Sequence, residues 1–376
     1  MEKNVKEIYR MDNLKLKYIF QNIVCFIFCI QLMQCQKMRD KKMAFQVEIC
    51  SPSTKYRIEP VADKIKTLEG TPAGLPYGGS SGRWGDSGSG WTEQYGTPIG
   101  ADITYYSPYE DVFYRLDVDF PVDTIKDYME RAYSIWDDLK GETQEYKRLG
   151  RGYKASNGTN SYDSFSTLVF GFAPKGMVVV WLNFGNTRIE LGRYQAIIIT
   201  NKEEIANAKE NYTKIFRITT ELTYKNMKEI GGYPSPQETS QKWDNYRIRY
   251  QWRPVVSSKN PKFRLFEILN YTFNGEKEGA LRPWVLDMPY KQRAIPQEMV
   301  FFWETGKEKS EKFNARAFFD WEKTNEAFKK ETGKIDMQVQ ISDDNNSIEI
   351  LLNGRPLETD SIRIYQWKGD YKESYK

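Results

Sequence analysis

The 376-residue chain contains no histidine. That absence excludes more chemistry than any other feature of the composition. Imidazole titrates near neutrality and is the usual base that takes the proton from a nucleophilic serine or cysteine. Without it, neither a Ser-His-Asp nor a Cys-His arrangement can form. The commonest ligand for zinc, copper and iron is missing too. Cysteine is nearly as scarce: of four, Cys25, Cys29 and Cys35 lie in one apolar segment near the amino terminus. Cys50 is then alone in the remainder, so no disulfide framework or cysteine metal site is expected there, and no cofactor.

Positive charge is also lacking where it would matter. The net charge is +4, but residues 1–43 hold nine Lys/Arg against four Asp/Glu, which leaves 46 basic and 47 acidic residues from 44 onward. A near-neutral folded part carries no electrostatic footprint for nucleic acid.

Two motifs test these exclusions. The stretch "YGGSSGRWGDSGSGW" (77–91) contains G-x-S-x-G at Gly78, Ser80 and Gly82, then G-D-S-G at Gly85, Asp86, Ser87 and Gly88. Both patterns belong to serine hydrolases, yet each needs a base. No serine has a lysine three positions later, so the S-x-x-K alternative fails as well. The flanks offer neither the strand nor the helix that a nucleophile elbow requires. Ten of the 26 glycines fall between Gly70 and Gly100, which marks a long surface loop. Trp84 and Trp91, among those glycines, either cap the core from outside or form a binding face. Gly171 to Gly176 spans G-x-x-x-x-G, but Met177 and Val178 stand where a phosphate-binding loop needs Lys and Ser/Thr.

The apolar segment reads as targeting. Lys15 and Lys17 precede the uncharged run Tyr18 to Cys35, which is short for a membrane span of about 20 residues. Leu32-Met33-Gln34-Cys35 resembles a bacterial lipoprotein signal, with leucine three before the lipidated cysteine. Gln34 stands where a small residue is usual, and an uncleaved anchor is the alternative. Met11 is an alternative start to Met1. The expected organisation is a signal or anchor at 1–35, a tether at 36–43 and one domain at 44–376, with closing strands over 335–367. No acidic run follows Cys35, so a periplasm-facing, lipid-anchored protein is expected.

Beyond the tether, β patterns dominate. "AFQVEIC" (44–50) alternates as a strand, and "DVFYRLDVDF" (111–120) places Asp117 and Asp119 on one side of another, about 7 Å apart. That spacing suits paired carboxylates of glycoside hydrolysis and equally a solvated strand face. "FSTLVFGFAPKGMVVVWLNFGNTRIELGRYQAIIIT" reads as three antiparallel strands with turns at "APKG" and "NFGN". Helices are predicted after Asp123 as N-cap, after Thr200 in a capping box with Glu203, and after Asp320. Asn274-Gly275 marks a hairpin. The expected fold is α+β, an antiparallel sheet meander with two or three packed helices.

The segment 162–196 resembles the central signature of the bacterial domain of unknown function 2931. The matching residues are Gly171, Ala173, Pro174, Gly176, Trp181, Gly192, Arg193, Tyr194, Gln195 and Ala196. Further pieces agree in order, from "LPYGG" (75–79) to "FFDWEKTNEAFKK" (318–330), so the likeness spans about residues 44 to 332. It implies an uncharacterised family, often led by a lipoprotein signal and loosely associated with immunity to secreted toxins. It assigns no catalytic residue. The expected function is therefore a non-catalytic envelope lipoprotein that binds a protein partner. Its candidate surface comprises Arg83, Trp84, Trp91 and Trp284, and its lipidation site is Cys35. Envelope glycan binding through the tryptophans and carboxylate-based hydrolysis are the alternatives.

Overall fold

The computed structural model describes residues 44–76, 84–86, 92–131, 166–184, 187–232, 234, 237–282, 284–307 and 311–367. Its axis is a ten-stranded sheet. In spatial order, with strands numbered along the chain, it contains β19 (Ser361–Gln366), β15 (Glu311–Phe318), β14 (Pro296–Thr305), β11 (Arg264–Thr272), β12 (Lys277–Leu281), β8 (Thr187–Gln195), β7 (Met177–Phe184), β6 (Ser166–Ala173), β1 (Ala44–Cys50) and β3 (Thr92–Tyr95). A five-stranded sheet has the order β13 (Lys291–Ala294), β10 (Arg249–Ser258), β16 (Ile335–Ile341), β17 (Ile348–Leu352), β18 (Arg355–Pro356). A four-stranded sheet has the order β2 (Glu59–Thr67), β4 (Pro98–Ser107), β5 (Val112–Asp119), β9 (Ile197–Ile198).

Each smaller sheet packs against one stretch of the long one. Trp252 of β10 and Met337 and Val339 of β16 share a buried cluster with Ile268 of β11, Phe301 and Trp303 of β14 and Ala315 of β15. At the other end Tyr105 of β4 meets Phe172 of β6 with ring centroids 4.9 Å apart. The long sheet is thus apolar on covered faces, and its centre reads as a continuous hydrophobic run rather than an alternation: Met177 to Leu182 of β7 are all buried. Ala44–Lys376 clusters as one compact unit.

The class is α+β, and the predicted strands β6, β7 and β8 pair consecutively and antiparallel. The expected all-antiparallel arrangement does not extend to the whole: β1 runs parallel to β6, and β10 runs parallel to β16. Five α-helices occur among the described residues: α1 (Val122–Arg131), α2 (Lys202–Phe216), α3 (Thr220–Glu229), α4 (Gln241–Asn245) and α5 (Trp321–Lys329). Asp320 caps α5, accepting from the Lys323 amide at 2.9 Å. Two expected caps are displaced. Asn201, not Thr200, caps α2 by accepting from the amides of Glu203 and Glu204, because its side chain lies one residue nearer the first free N–H groups. Asp123 sits inside the first turn of α1, where its charge faces the positive end of the helix dipole.

Phe328 of α5 is fully buried between Tyr250 and Trp252. Replacing it by Ala is expected to cost about 3–5 kcal/mol in urea denaturation with an unchanged m-value.

Candidate binding site at the seam of the long sheet

The midpoint of the long sheet is the meeting of β8 and β12, and Trp181 is what joins the two sides. This residue of β7 is fully buried, and its indole N–H donates to the Asn274 carbonyl at 3.1 Å. Asn274 and Gly275 form the turn of the β11–β12 hairpin, as predicted, and Gly275 adopts φ +88°, a backbone conformation suited to glycine. The other face of the indole receives Trp84 edge-on, with ring centroids 5.1 Å apart, and Trp243 packs in the same cluster. Gly171 makes room for both rings, since a Cβ there would lie 2.5 Å from Trp181 and 2.8 Å from Trp84.

The described part of the glycine-rich stretch is the Trp84-Gly85-Asp86 triplet, and it is held on every side. Gly85 has φ +84°, and a Cβ there would stand 2.5 Å from the Gly275 carbonyl oxygen. Its amide donates to Cys50 Sγ at 3.3 Å, and burial pushes the Cys50 thiol up to about 12. Asp86 pairs with Arg188 at 3.7 Å. The glycine of the G-D-S-G match therefore serves a close backbone crossing.

The family-like residues form a latch beside this crossing. Pro174–Gly176 makes a 3-10 turn in which Lys175 and Gly176 both take positive φ. Gln195 Nε2 donates to the Lys175 carbonyl at 2.6 Å, and the Ala196 amide donates to the Gly176 carbonyl at 2.7 Å. Arg193 reaches across to Asp244 of α4 with two hydrogen bonds of 3.1 and 3.2 Å.

Where β8 and β12 meet, one register pair, Lys277 opposite Arg188, joins the strands. A cavity of about 310 Å³ opens there, walled by β8, β11 and β12 of the long sheet, by β10 and β13 of the five-stranded sheet, and by Thr124 and Tyr128 of α1. Its walls are charged. Arg293 clasps Glu278 with Nε–Oε2 at 2.5 Å and Nη2–Oε1 at 2.9 Å, and Lys291 joins at 3.2 Å. Burial alone would raise the Glu278 carboxyl, but Arg293 and Lys291 hold it below its ordinary value. Arg249 donates to Glu276 at 2.7 Å, and Glu276 also accepts from the Asn274 side-chain amide at 3.1 Å. Burial lowers the Lys277 ammonium, and the neighbouring Arg188 charge lowers it further. Asn270 is 2% exposed, and its Oδ1 has no hydrogen-bond partner among the described residues.

Of the residues expected to form a binding surface, Trp84 and Trp284 lie among the described residues. Trp84 is half-buried against Trp181, the capping role. Trp284 lies half-buried on a one-turn 3-10 helix beside β11 and β12, next to Val285 of the other core cluster. Arg83, Trp91, Cys35 and both serines of the loop motifs lie outside the described residues. Asp117 and Asp119 are exposed and share Lys66 at 2.7 and 3.3 Å, and the Lys66 hydrogen bond holds Asp117 below its ordinary value. Acid catalysis needs a carboxyl moved the other way. Glu267 is moved so, to about 7 by burial, but it is not among the cavity walls. The cavity was missed by sequence reasoning, although one signal was present. Asn270 interrupts the inward row Ile268, Asn270, Thr272 of β11, and a polar residue at an inward position marks either a satisfied network or a site. Among the described residues no cluster of three or more His, Cys, Asp or Glu could hold a metal ion, and no helix is long and apolar enough to cross a membrane.

The fold and the latch define a β-rich α+β protein with a charged cavity at the seam of its longest sheet. Residues 33–238 match the family described as "Protein of unknown function (DUF2931)", and the chain belongs to that family. The match covers β1 to α3, so the segments of likeness beyond residue 238 fall outside it. No curated protein and no solved structure matches the chain.

Gly85→Ala is expected to cost about 2–4 kcal/mol, from positive φ and the clash with Gly275. The same variant should expose Cys50, so alkylation under native conditions, negligible in wild type, becomes measurable. For Glu267 the folded carboxyl keeps its proton to higher pH than the unfolded one, so wild-type stability falls as pH rises from 4.5 to about 7. Glu267→Gln should therefore be more stable than wild type by about 1–3 kcal/mol near pH 8 and indistinguishable near pH 4, read by urea denaturation at both.

Proposed function

We propose that the chain is a non-catalytic lipoprotein of the bacterial cell envelope, tethered through Cys35 and facing the periplasm, that acts by binding a protein partner. The observation that carries this reading is the open edge at β9. Ile197 and Ile198 are 72% and 46% exposed, and among the described residues their strand pairs with β5 on one side only. An edge strand offers unpaired N–H and C=O groups to another chain, and proteins usually block it with charge, proline or a bulge. Two exposed isoleucines do the opposite and fit addition of a strand from a partner. The near-neutral charge from residue 44 onward favours a protein over a polyanion. Neutralisation of a toxin is the form of binding that family resemblance favours.

The test uses the full chain, tagged and expressed in a bacterium. Wild type should partition with detergent-soluble membranes, and Cys35→Ala should leave them. Wild type should retain a partner through cross-linked capture, and the Ile197→Lys, Ile198→Lys double variant should recover it about tenfold less, with an unchanged melting curve. Equal recovery by the double variant removes the edge from the reading; aqueous partition of wild type removes the tether.

A further inference from the structure

Among the described residues the long sheet is slit at its midpoint: β11 and β12 pair over five residues, β12 and β8 only through Lys277 and Arg188. The register sets two acceptors side by side at this slit. Asn270 of β11 stands directly opposite Glu278 of β12, and opposed residues of an antiparallel pair point to the same side, with Cβ atoms about 5 Å apart. Both line the cavity. Glu278 accepts two hydrogen bonds from Arg293 and one from Lys291, where a carboxylate takes about four. Asn270 is 2% exposed, and its Oδ1 accepts none among the described residues.

We infer that the cavity binds one small neutral molecule through a pair of adjacent hydroxyls, the vicinal diol of a single sugar. Neutrality follows from the state of the wall cations, which are already occupied. Arg293 and Lys291 hold Glu278, Arg249 holds Glu276, Arg188 is paired with Asp86, and the Lys277 ammonium lies in the fields of Asp86 and Glu267. A charged ligand competes with a partner already seated, and drawing one ion from a buried pair leaves the other uncompensated. A neutral ligand leaves every pair intact. An apolar ligand fails for a different reason: it would seal Asn270 Oδ1 from water and bring no donor, the least favourable state of an amide oxygen. The ligand therefore supplies donors. Two neighbouring acceptors ask for two neighbouring donors, and a diol serves both at once, whereas a single hydroxyl serves one and leaves the other to water. The volume of about 310 Å³ is at the lower bound of small-molecule pockets, which fits one sugar unit and not a chain.

This site is independent of the β9 edge and of the tether, and its test needs no partner. The full chain, purified in a detergent without a sugar headgroup, is titrated calorimetrically with glucose, galactose and ribose. Cyclohexanol, gluconate and glucosamine are the controls, carrying respectively a lone hydroxyl, a negative charge and a positive charge. The expected result is saturable binding of at least one neutral sugar, at least about tenfold tighter than every control. That affinity should hold as chloride is raised from about 0.05 to 0.5 M, since no ligand charge is there to be screened. Asn270→Leu keeps the bulk of the side chain and removes the acceptor, so it should weaken sugar binding about tenfold while leaving the weak binding of cyclohexanol as it was. If that variant does not fold, the contrasts made with wild type decide alone. No saturable binding of any sugar, tighter binding of gluconate or glucosamine, cyclohexanol equal to the sugars, affinity that falls with chloride, or full sugar binding by folded Asn270→Leu overturns the proposal.

Discussion

The indole of Trp181 holds the molecule together across its weakest line. A ten-stranded sheet would ordinarily be continuous in its ladder of backbone bonds, but among the described residues this one is joined at the middle by a single register pair. Side chains and turns must supply the cohesion the ladder lacks. Trp181 does so from the centre of β7: its N–H reaches the Asn274 carbonyl, its ring fills the space above Gly275, and Trp84 closes over it. Arg188 adds a second bond to the same hairpin, donating through Nε to the Gly275 carbonyl at 2.5 Å. The hairpin turn is therefore the receptor for three elements at once, and it can be so only because glycines at 85 and 275 let two backbones touch.

The same arrangement explains why the family signature carries no visible chemistry. Its glycines, proline and Gly-Arg-Tyr-Gln-Ala close are accounted for by a turn, a latch and a slot for a tryptophan. Such residues recur wherever a fold needs a positive φ or a close approach, whatever the protein does.

Local patterns made most elements legible. β1 begins and ends where "AFQVEIC" does, the buried run of β7 is visible as a block of valines, and Asn274-Gly275 announces its hairpin. β2 was not legible, because Asp63, Lys64 and Lys66 give "EPVADKIKT" a polar look that conceals its buried Val61 and Ile65. The parallel pairings were invisible for a different reason: β1 and β6 are separated by more than a hundred residues, and no local pattern records which strand lies next to which. A tryptophan in a glycine-rich loop looks the same whether it faces solvent or the core, and only the position of Trp181 decides for Trp84. The cavity has walls drawn from six elements, so its charged residues are scattered from 188 to 293 and come together only when the seam assembles them.

The seam's polarity follows from the way it is built. A sheet ladder interrupted by a slit leaves backbone donors and acceptors that hydrocarbon cannot satisfy, so side chains with hydrogen-bonding ends are the ones that can line it. Glu276 shows the substitution directly, accepting the Glu190 amide at 3.0 Å where a strand carbonyl would otherwise stand. Once carboxylates replace carbonyls, cations must follow to neutralise them, and Arg249 and Arg293 do. A purely structural repair would end there, with charges balanced and every buried acceptor served. Here Arg188 is paired with Asp86 from beyond the walls, and Asn270 Oδ1 has no hydrogen-bond partner among the described residues. The seam also lies where the segment matched to the family meets the segment beyond it. The stretch after residue 238 therefore does more than extend the sheet: it supplies Arg249, Asn270, Lys277 and Arg293, and so lines a gap between strands with charged and polar side chains.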